Sequence, residues 1–336
     1  MPETDPTIVQ ALRRLQLIDD QSVPSMIPLT GGVSSDIWRV ELKQQTVCVK
    51  RALPQLKVAA LWEAPIERNQ YEWEWLRIAG TVEPTAVPSL IARDTESGCF
   101  IMEYLETQNY PIWKNQLRDG LTDLETAKAV GQRLASIHAA TAGQPDIRDR
   151  FPTDHIFHAI RIEPYLLTTA KRHDDLAGPI HQIATDLAQT KQTLVHGDIS
   201  PKNILVGPSG PLFLDAECAC YGDPVFDITF CLNHLMLKCI WTPPATSRFL
   251  KAFDVLSKAY LDRVVWDDRE VLEVRAARLL PALFLARVDG KSPVDYITTE
   301  KHRDLIRHVA RKLLRSPVAT LHDVRMTWTE ALERTA

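Results

Sequence analysis

The chain has 336 residues, 45% hydrophobic and 24% charged, a globular composition that argues against wholesale disorder and leaves room for two lobes around a well-buried core. A formal charge of −4 gives no overall basic field for gripping nucleic acid, and no uncharged apolar run approaches the ~20 residues that span a bilayer. The opening MPETDPTIVQ lacks a basic-then-apolar secretion signal, and the six cysteines lie mostly in apolar segments without metal spacing beyond Cys218 and Cys220, so a cytoplasmic protein with reduced thiols is expected.

From the amino terminus, PTIVQALRRLQLI sets Ile8, Leu12, Leu15 and Leu17 at helical spacing and predicts a leading helix. Short alternating or apolar runs follow: DIWRVEL, TVCVKRA, VPSLIARD and CFIMEYL. Turn-type residues bound them (Gly31-Gly32, 43–45 and 95–98), the pattern of an antiparallel sheet. The segment APIERNQYEWEWLRIAG interrupts them as a helix, with Gly80 expected just past its end. After about residue 105 the pattern turns helical, and LETAKAVGQRLASIHAATAG puts Val130, Leu134, Ile137 and His138 on one stripe. Further helices are predicted near 154–170, 176–190, 224–241, 247–262, 268–287 and 300–315, with strands only at 193–196, 204–206 and 212–215. The expected class is α+β: a small antiparallel-sheet lobe over 1–103, a larger mainly helical lobe over 104–336, and a ligand cleft between them.

TLVHGDISPKNILV (193–206) sets His196, Asp198 and Asn203 in a short polar turn between apolar runs. The hairpin VGPSGP then leads to LFLDAE, and two short paired strands bring Asn203 and Asp215 side by side. Asn and Asp supply oxygen ligands suited to Mg2+, while Asp198 remains as a carboxylate able to orient and deprotonate a hydroxyl. One base, two metal ligands and a cleft are the parts of phosphoryl transfer from a nucleotide to an alcohol. Singly, each residue is also an ordinary turn or strand-end residue; the joint spacing carries the reading.

HGDISPKN, LDAE and YGDPVFDITF together resemble the aminoglycoside phosphotransferase-like kinases, relatives of choline and methylthioribose kinases, and the resemblance spans nearly the whole chain. It implies the two-lobed protein-kinase-like fold, ATP and Mg2+ as cofactors, Asp198 as catalytic base, and Asn203 and Asp215 as metal ligands. Gly197 stands where eukaryotic protein kinases carry Arg, and Ala216-Glu217 where they carry Phe-Gly, which favours small-molecule over protein acceptors. By the same resemblance Asp227 braces the catalytic loop, although it is also placed to cap a helix. Lys202 either neutralises the transferred phosphate or stays solvated, and Glu217 is a candidate for metal or substrate contact.

In the first lobe, Gly31, Gly32, Ser34 and Ser35 form a G-G-x-S-S run similar to that family's phosphate loop, and equally a hairpin turn. Lys50 alternates onto the face of Cys48; the resemblance makes it the phosphate-binding lysine, with Glu72 rather than Glu67 or Glu74 as its partner and Arg51 as its exposed neighbour. FIMEYLE looks like the hinge, in which the backbone around Glu103 reads adenine and Met102 and Tyr104 either flank the base or pack the core.

The expected activity is ATP-dependent transfer to a hydroxyl of a small molecule: a sugar, amino alcohol, hydroxy acid or aminoglycoside. The alternatives are a nucleotide-binding regulatory pseudokinase and a protein-modifying enzyme. Acceptor contacts are sought at His234, Asn233, Arg161, Tyr165, Arg287, Asp289 and Lys291. Polycationic acceptors call for a dense acidic cluster; the mixed Arg, His and Asp of the later helices point instead to an acceptor that is neutral or carries an anionic group.

Overall fold

A computed structural model describes residues 4–29, 35–53 and 65–334; Gly31, Gly32 and Ser34 of the expected phosphate loop lie outside the described residues. Asp5 opens α1 (Pro6–Arg14), its carboxylate accepting the N–H groups of Thr7 and Ile8 at 2.8 and 3.3 Å, with Pro6 at the first helical position. The helix stops short of the predicted 18, because Gln16 takes a left-handed φ of 58° and turns the chain. Leu15 and Leu17 still pack against the small core, from beyond the helix end.

Five antiparallel strands follow: β1 (Ser25–Pro28), β2 (Ser35–Glu41), β3 (Thr46–Ala52), β4 (Leu90–Asp94) and β5 (Cys99–Glu103), in the order β1-β2-β3-β5-β4. The unforeseen β1 is a sheet edge, where its Pro28 is tolerated. Alternation along β3 divides two cores. Val47 and Val49 join Ile8, Leu12, Val40 and Ile101 under α1, whereas Cys48 enters the main core on the other face, which Lys50 shares. α2 (Arg68–Val82) runs through Gly80 instead of ending there; a Cβ at Gly80 would stand 3.2 Å from Val87, so the glycine serves close packing.

The remainder is mainly helical. α3 (Trp113–Arg118), α4 (Leu124–Thr141), α5 (Pro145–Arg150) and α6 (Asp154–Phe157) lead into a π-helical segment, His158–Leu167, and α7 (Thr168–Ala170). After α8 (Ala177–Gln189), β6 (Thr193–Val195) pairs with β9 (Cys220–Gly222), and β7 (Ile204–Gly207) with β8 (Gly210–Phe213). α9 (Val225–Trp241), α10 (Thr246–Leu261), α11 (Arg269–Asp289), α12 (Glu300–Arg315) and α13 (Leu321–Glu333) complete the lobe. α9 is buried from Val225 to Ile240, so Asp227, Asn233, His234 and Lys238 are polar groups carried into the interior. Such groups cost free energy unless something pairs with them. Among the described residues no helix is long and apolar enough to cross a membrane, and the six cysteines are buried and free.

Candidate active site

β6 delivers the loop His196-Gly197-Asp198, and α9 holds it. Asp227 accepts the His196 N–H at 2.7 Å through Oδ2 and the Gly197 N–H at 2.8 Å through Oδ1. Behind it His138 places Nε2 3.3 Å from Oδ2 and Nδ1 2.9 Å from the Tyr260 hydroxyl. The carboxylate therefore faces the loop and makes no helix cap. Gly197 has φ +79°, and a Cβ there would fall 2.6 Å from the Cys218 carbonyl oxygen, which accounts for glycine at this position. Asp227→Ala strands two buried N–H donors; we expect a loss of about 2–5 kcal/mol in urea unfolding, with Asp227→Asn, which keeps one acceptor oxygen, losing less.

Asp198 is 5% exposed and ion-paired twice, to Arg161 Nη2 at 3.0 Å and to the half-exposed Lys202 at 3.2 Å. Burial alone would raise its carboxyl, but Lys202 and Arg161 outweigh burial and hold it below the ordinary range, so it is ionised. Arg161, sought as an acceptor contact, lines the cavity beside Asp198 and also locks this loop: Nε donates to the Gly197 carbonyl and Nη1 to that of Ile160 at 2.7 Å. Asn203 donates Nδ2 to the Asp198 carbonyl at 3.1 Å, and its own carbonyl accepts the Leu214 N–H at 2.9 Å at the head of the β7–β8 pair. Asp215 follows directly, with the left-handed φ of 70° that is rare outside glycine and recurs at functional sites.

Lys50 joins the lobes. Its Nζ lies 2.8 Å from Glu72 and 3.2 Å from Glu217, and also pairs with Asp215. Burial alone would lower the ammonium's pKa; Asp215, Glu72 and Glu217 reverse that and keep it charged. Arg68, one turn before Glu72 on α2, reaches Glu217 at 2.9 Å, and the Ser35 hydroxyl donates to the same carboxylate. Three carboxylates thus share two cations. Burial, with Glu217 and Asp215 as like-charged neighbours, outweighs Lys50 and pushes Glu72 up to about 8.

Of the other acids on offer to Lys50, Glu67 is exposed and Glu74 pairs with Arg77 at 2.7 Å. Arg51 is half-buried between Asp5 and Asp36 rather than free in solvent. At the expected hinge, Met102 packs in the core, the Glu103 carboxylate accepts the Ser89 N–H at 2.8 Å, and Tyr104 lies under the Arg39 guanidinium, 5.3 Å from its ring centre.

One oxygen from each of Glu72, Asp215 and Glu217 lies within 4.8 Å of the others. An all-carboxylate set is the donor chemistry of a hard divalent cation, so these residues fit Mg2+. The cluster adds Glu72 and Glu217 to the expected Asp215, while the Asn203 backbone carbonyl is bonded to the Leu214 N–H just before Asp215. A cavity of about 280 Å³ continues from Asp198, Asp215 and Glu217 to His234, Arg287 and Lys238. Asp289, another acceptor candidate, is taken up by His173 at 2.9 Å and Arg307 at 2.8 Å. Lys238 was not singled out by sequence, although a lysine inside an otherwise apolar helix is a legible signal.

The sequence matches the phosphotransferase enzyme family model over residues 25–264. Methylthioribose kinase of Bacillus thuringiensis (strain Al Hakam) is 26% identical over 263 residues, covering 70% of this chain and 66% of that protein, just under two thirds of its length. A choline/ethanolamine kinase family protein from Mesorhizobium loti shares the fold with TM-score 0.52 at 13% identity, over 98% of this chain and 93% of its own. Plasmodium vivax ethanolamine kinase does so with TM-score 0.53 at 11% identity, over 98% and 86%. With its antiparallel lobe, its helical lobe and the loop between β6 and β7, the chain has the protein-kinase-like two-lobed fold and belongs to the phosphotransferase enzyme family.

Proposed function

We propose that the protein is an ATP-dependent kinase that transfers the γ-phosphate to a hydroxyl of a small molecule. The observation that carries this is the opening of Asp198 and of the Asp215–Glu217 carboxylates into one cavity, with Lys50 bridging from the sheet lobe. Asp198 accepts a hydrogen bond from the acceptor hydroxyl and takes its proton late in transfer. Its low pKa suits a loose transition state, in which the nucleophile needs orientation more than early deprotonation. Lys202, at 3.2 Å from Asp198, is placed to meet the moving phosphoryl charge. Lys50 serves the nucleotide phosphates, and Ser35, at the head of β2, donates to the Glu217 carboxylate beside it.

Asp215 and Glu217, with Asn203 beside them, would hold Mg2+. The ion, when bound, neutralises charge on the nucleotide phosphates. The small-molecule kinases among the relatives, together with Ala216-Glu217 after Asp215, support a small acceptor over a protein.

The test is ADP release from Mg-ATP against a library of hydroxylated metabolites, with Asp198→Asn as the control. Acceptor-dependent ADP that vanishes in the variant supports the kinase. Nucleotide binding with no ADP from any acceptor points to the regulatory reading.

A further inference from the structure

The cavity wall contributed by α3, α9 and the end of α11 is cationic, and its charges have few partners. Lys238 is 1% exposed yet lines the cavity. Its Nζ lies 3.9 Å from the Trp241 ring centre and 3.8 Å from that of Tyr296, two rings stacked at 4.5 Å. Among the described residues no carboxylate pairs with it. Among the described residues Arg287 likewise meets only neutral groups: Nη1 donates to the Tyr165 hydroxyl at 3.1 Å and to the Ser292 carbonyl, and its buried Nε finds no partner there. Lys114 sits 6.0 Å from both ring centres, and its partner Asp295, at 3.3 Å, is 77% exposed. His234, one turn before Lys238, adds a ring nitrogen 3.4 Å from the Tyr296 hydroxyl.

A buried ammonium is costly unless paired, and ring faces return only part of that cost. Burial and then Lys114 push Lys238 down to about 6, with Arg287 also acting downward and Asp295 upward. Burial, Arg287, Lys238, Lys202 and Lys114 all push His234 well below its ordinary value. Arg287 and Lys114 give the wall its positive charge, and Lys238 becomes a further cation there when an anion arrives.

We propose that this wall seats an anionic group of the phosphate acceptor, a carboxylate or phosphate held by Lys238 and Arg287, so that the acceptor is a small hydroxylated anion rather than an amine or a neutral sugar. The inference rests on the kinase reading for the fate of the hydroxyl, while the anion seat stands on Lys238 and Arg287 alone. A cavity of about 280 Å³ is at the small end for ligand sites, which suits a compact hydroxy acid or sugar phosphate.

The test separates the two anion sources and the two readings. Glycerate, ribose 5-phosphate, ribose and choline are titrated calorimetrically into the full-length protein and offered as acceptors with Mg-ATP. We expect glycerate or ribose 5-phosphate to bind at least about tenfold tighter than ribose and choline. Lys238→Met should weaken that anion at least about tenfold, Lys238→Arg should restore it in part, and the ATP affinity should move less than about twofold.

Free Lys238 is mostly neutral at pH 7.5, so an anion that recharges it draws in a proton. Binding heat should then depend on buffer ionisation enthalpy, and affinity should fall as pH rises from 6 to 9. The groups facing Lys238 are Lys114, His234, Arg287, Asp295 and Tyr296. Choline or ribose binding as well as the anions, no anion binding at all, or a Lys238→Met variant that binds them normally overturns the proposal. Anion binding that needs Lys238 without ADP from any acceptor would sink the kinase reading and leave the anion seat standing.

Discussion

Asp198→Asn is expected to lower kcat by about 10²–10⁴-fold while changing the KM for Mg-ATP by less than about threefold. The substitution keeps the shape of the loop, because Asn203 binds the backbone carbonyl of residue 198 and Asp227 holds the two preceding N–H groups. It removes the acceptor for the hydroxyl proton and leaves Arg161 and Lys202 without their shared carboxylate. A fall in melting temperature should accompany the loss, since Arg161 is buried and loses its charge partner.

The pH profile adds a second check. Although burial opposes it, Lys202 and Arg161 depress the Asp198 carboxyl, so the parent should lose no activity through this group until pH falls below the ordinary carboxylate range. A variant retaining more than a tenth of parental kcat on the best acceptor would remove Asp198 from the chemistry.

Lys50→Met should be the most destabilising single change in the cleft, by about 3–5 kcal/mol at pH 8 in denaturant unfolding. It takes the ammonium from between Glu72, Asp215 and Glu217 and leaves Arg68 as the remaining cation paired with that group. The sign of the pH response follows from Glu72, which already stands near 8 in the parent, chiefly through burial, and must rise further without Lys50. Between the unfolded value and that raised one, the folded state binds a proton that the unfolded state lacks. Well below pH 8 Glu72 is protonated in both folded proteins, so through this group the variant's deficit relative to parent should be level there and widen as pH rises above 8. Millimolar Mg2+ should also restore part of the melting temperature, the cation substituting for the lost ammonium among the carboxylates. Stability equal to parent and indifferent to both pH and Mg2+ would show that the cluster is not electrostatically coupled.

Much of this is legible in the chain before folding, for a physical reason. Elements that bury one face announce themselves by period: TVCVKRA coincides with β3, and the span 300–315 with α12. Lys50 is readable because a lysine sharing a face with Cys48 needs a counterion, and Asp198, Asn203 and Asp215 because their spacing is fixed by one loop and one hairpin. β1 and β9 have too few residues to carry a period, and only their pairing partners define them. Arg68, and the hold of Arg161 on the catalytic loop, escape for a different reason. The first meets Glu217 across 149 positions and the second meets Gly197 across 36, and no local pattern encodes such closures. Glu217 is visible as a residue, but its pairing with Lys50 and Arg68 depends on both lobes.

The wide turn that carries Arg161 has a consequence for insertion and deletion. Pro164 lacks the N–H that an α-helix would offer to Ile160, and the arginine's own guanidinium donates to that carbonyl. A π-turn holds one residue more than the α-turn it replaces, so excising one position from 158–160 and letting the segment rewind would rotate the guanidinium by about 100° about the helix axis, away from Asp198. Register, rather than side-chain identity, is then what a homologue with a shorter segment here would have to change, and its arginine would need a new origin.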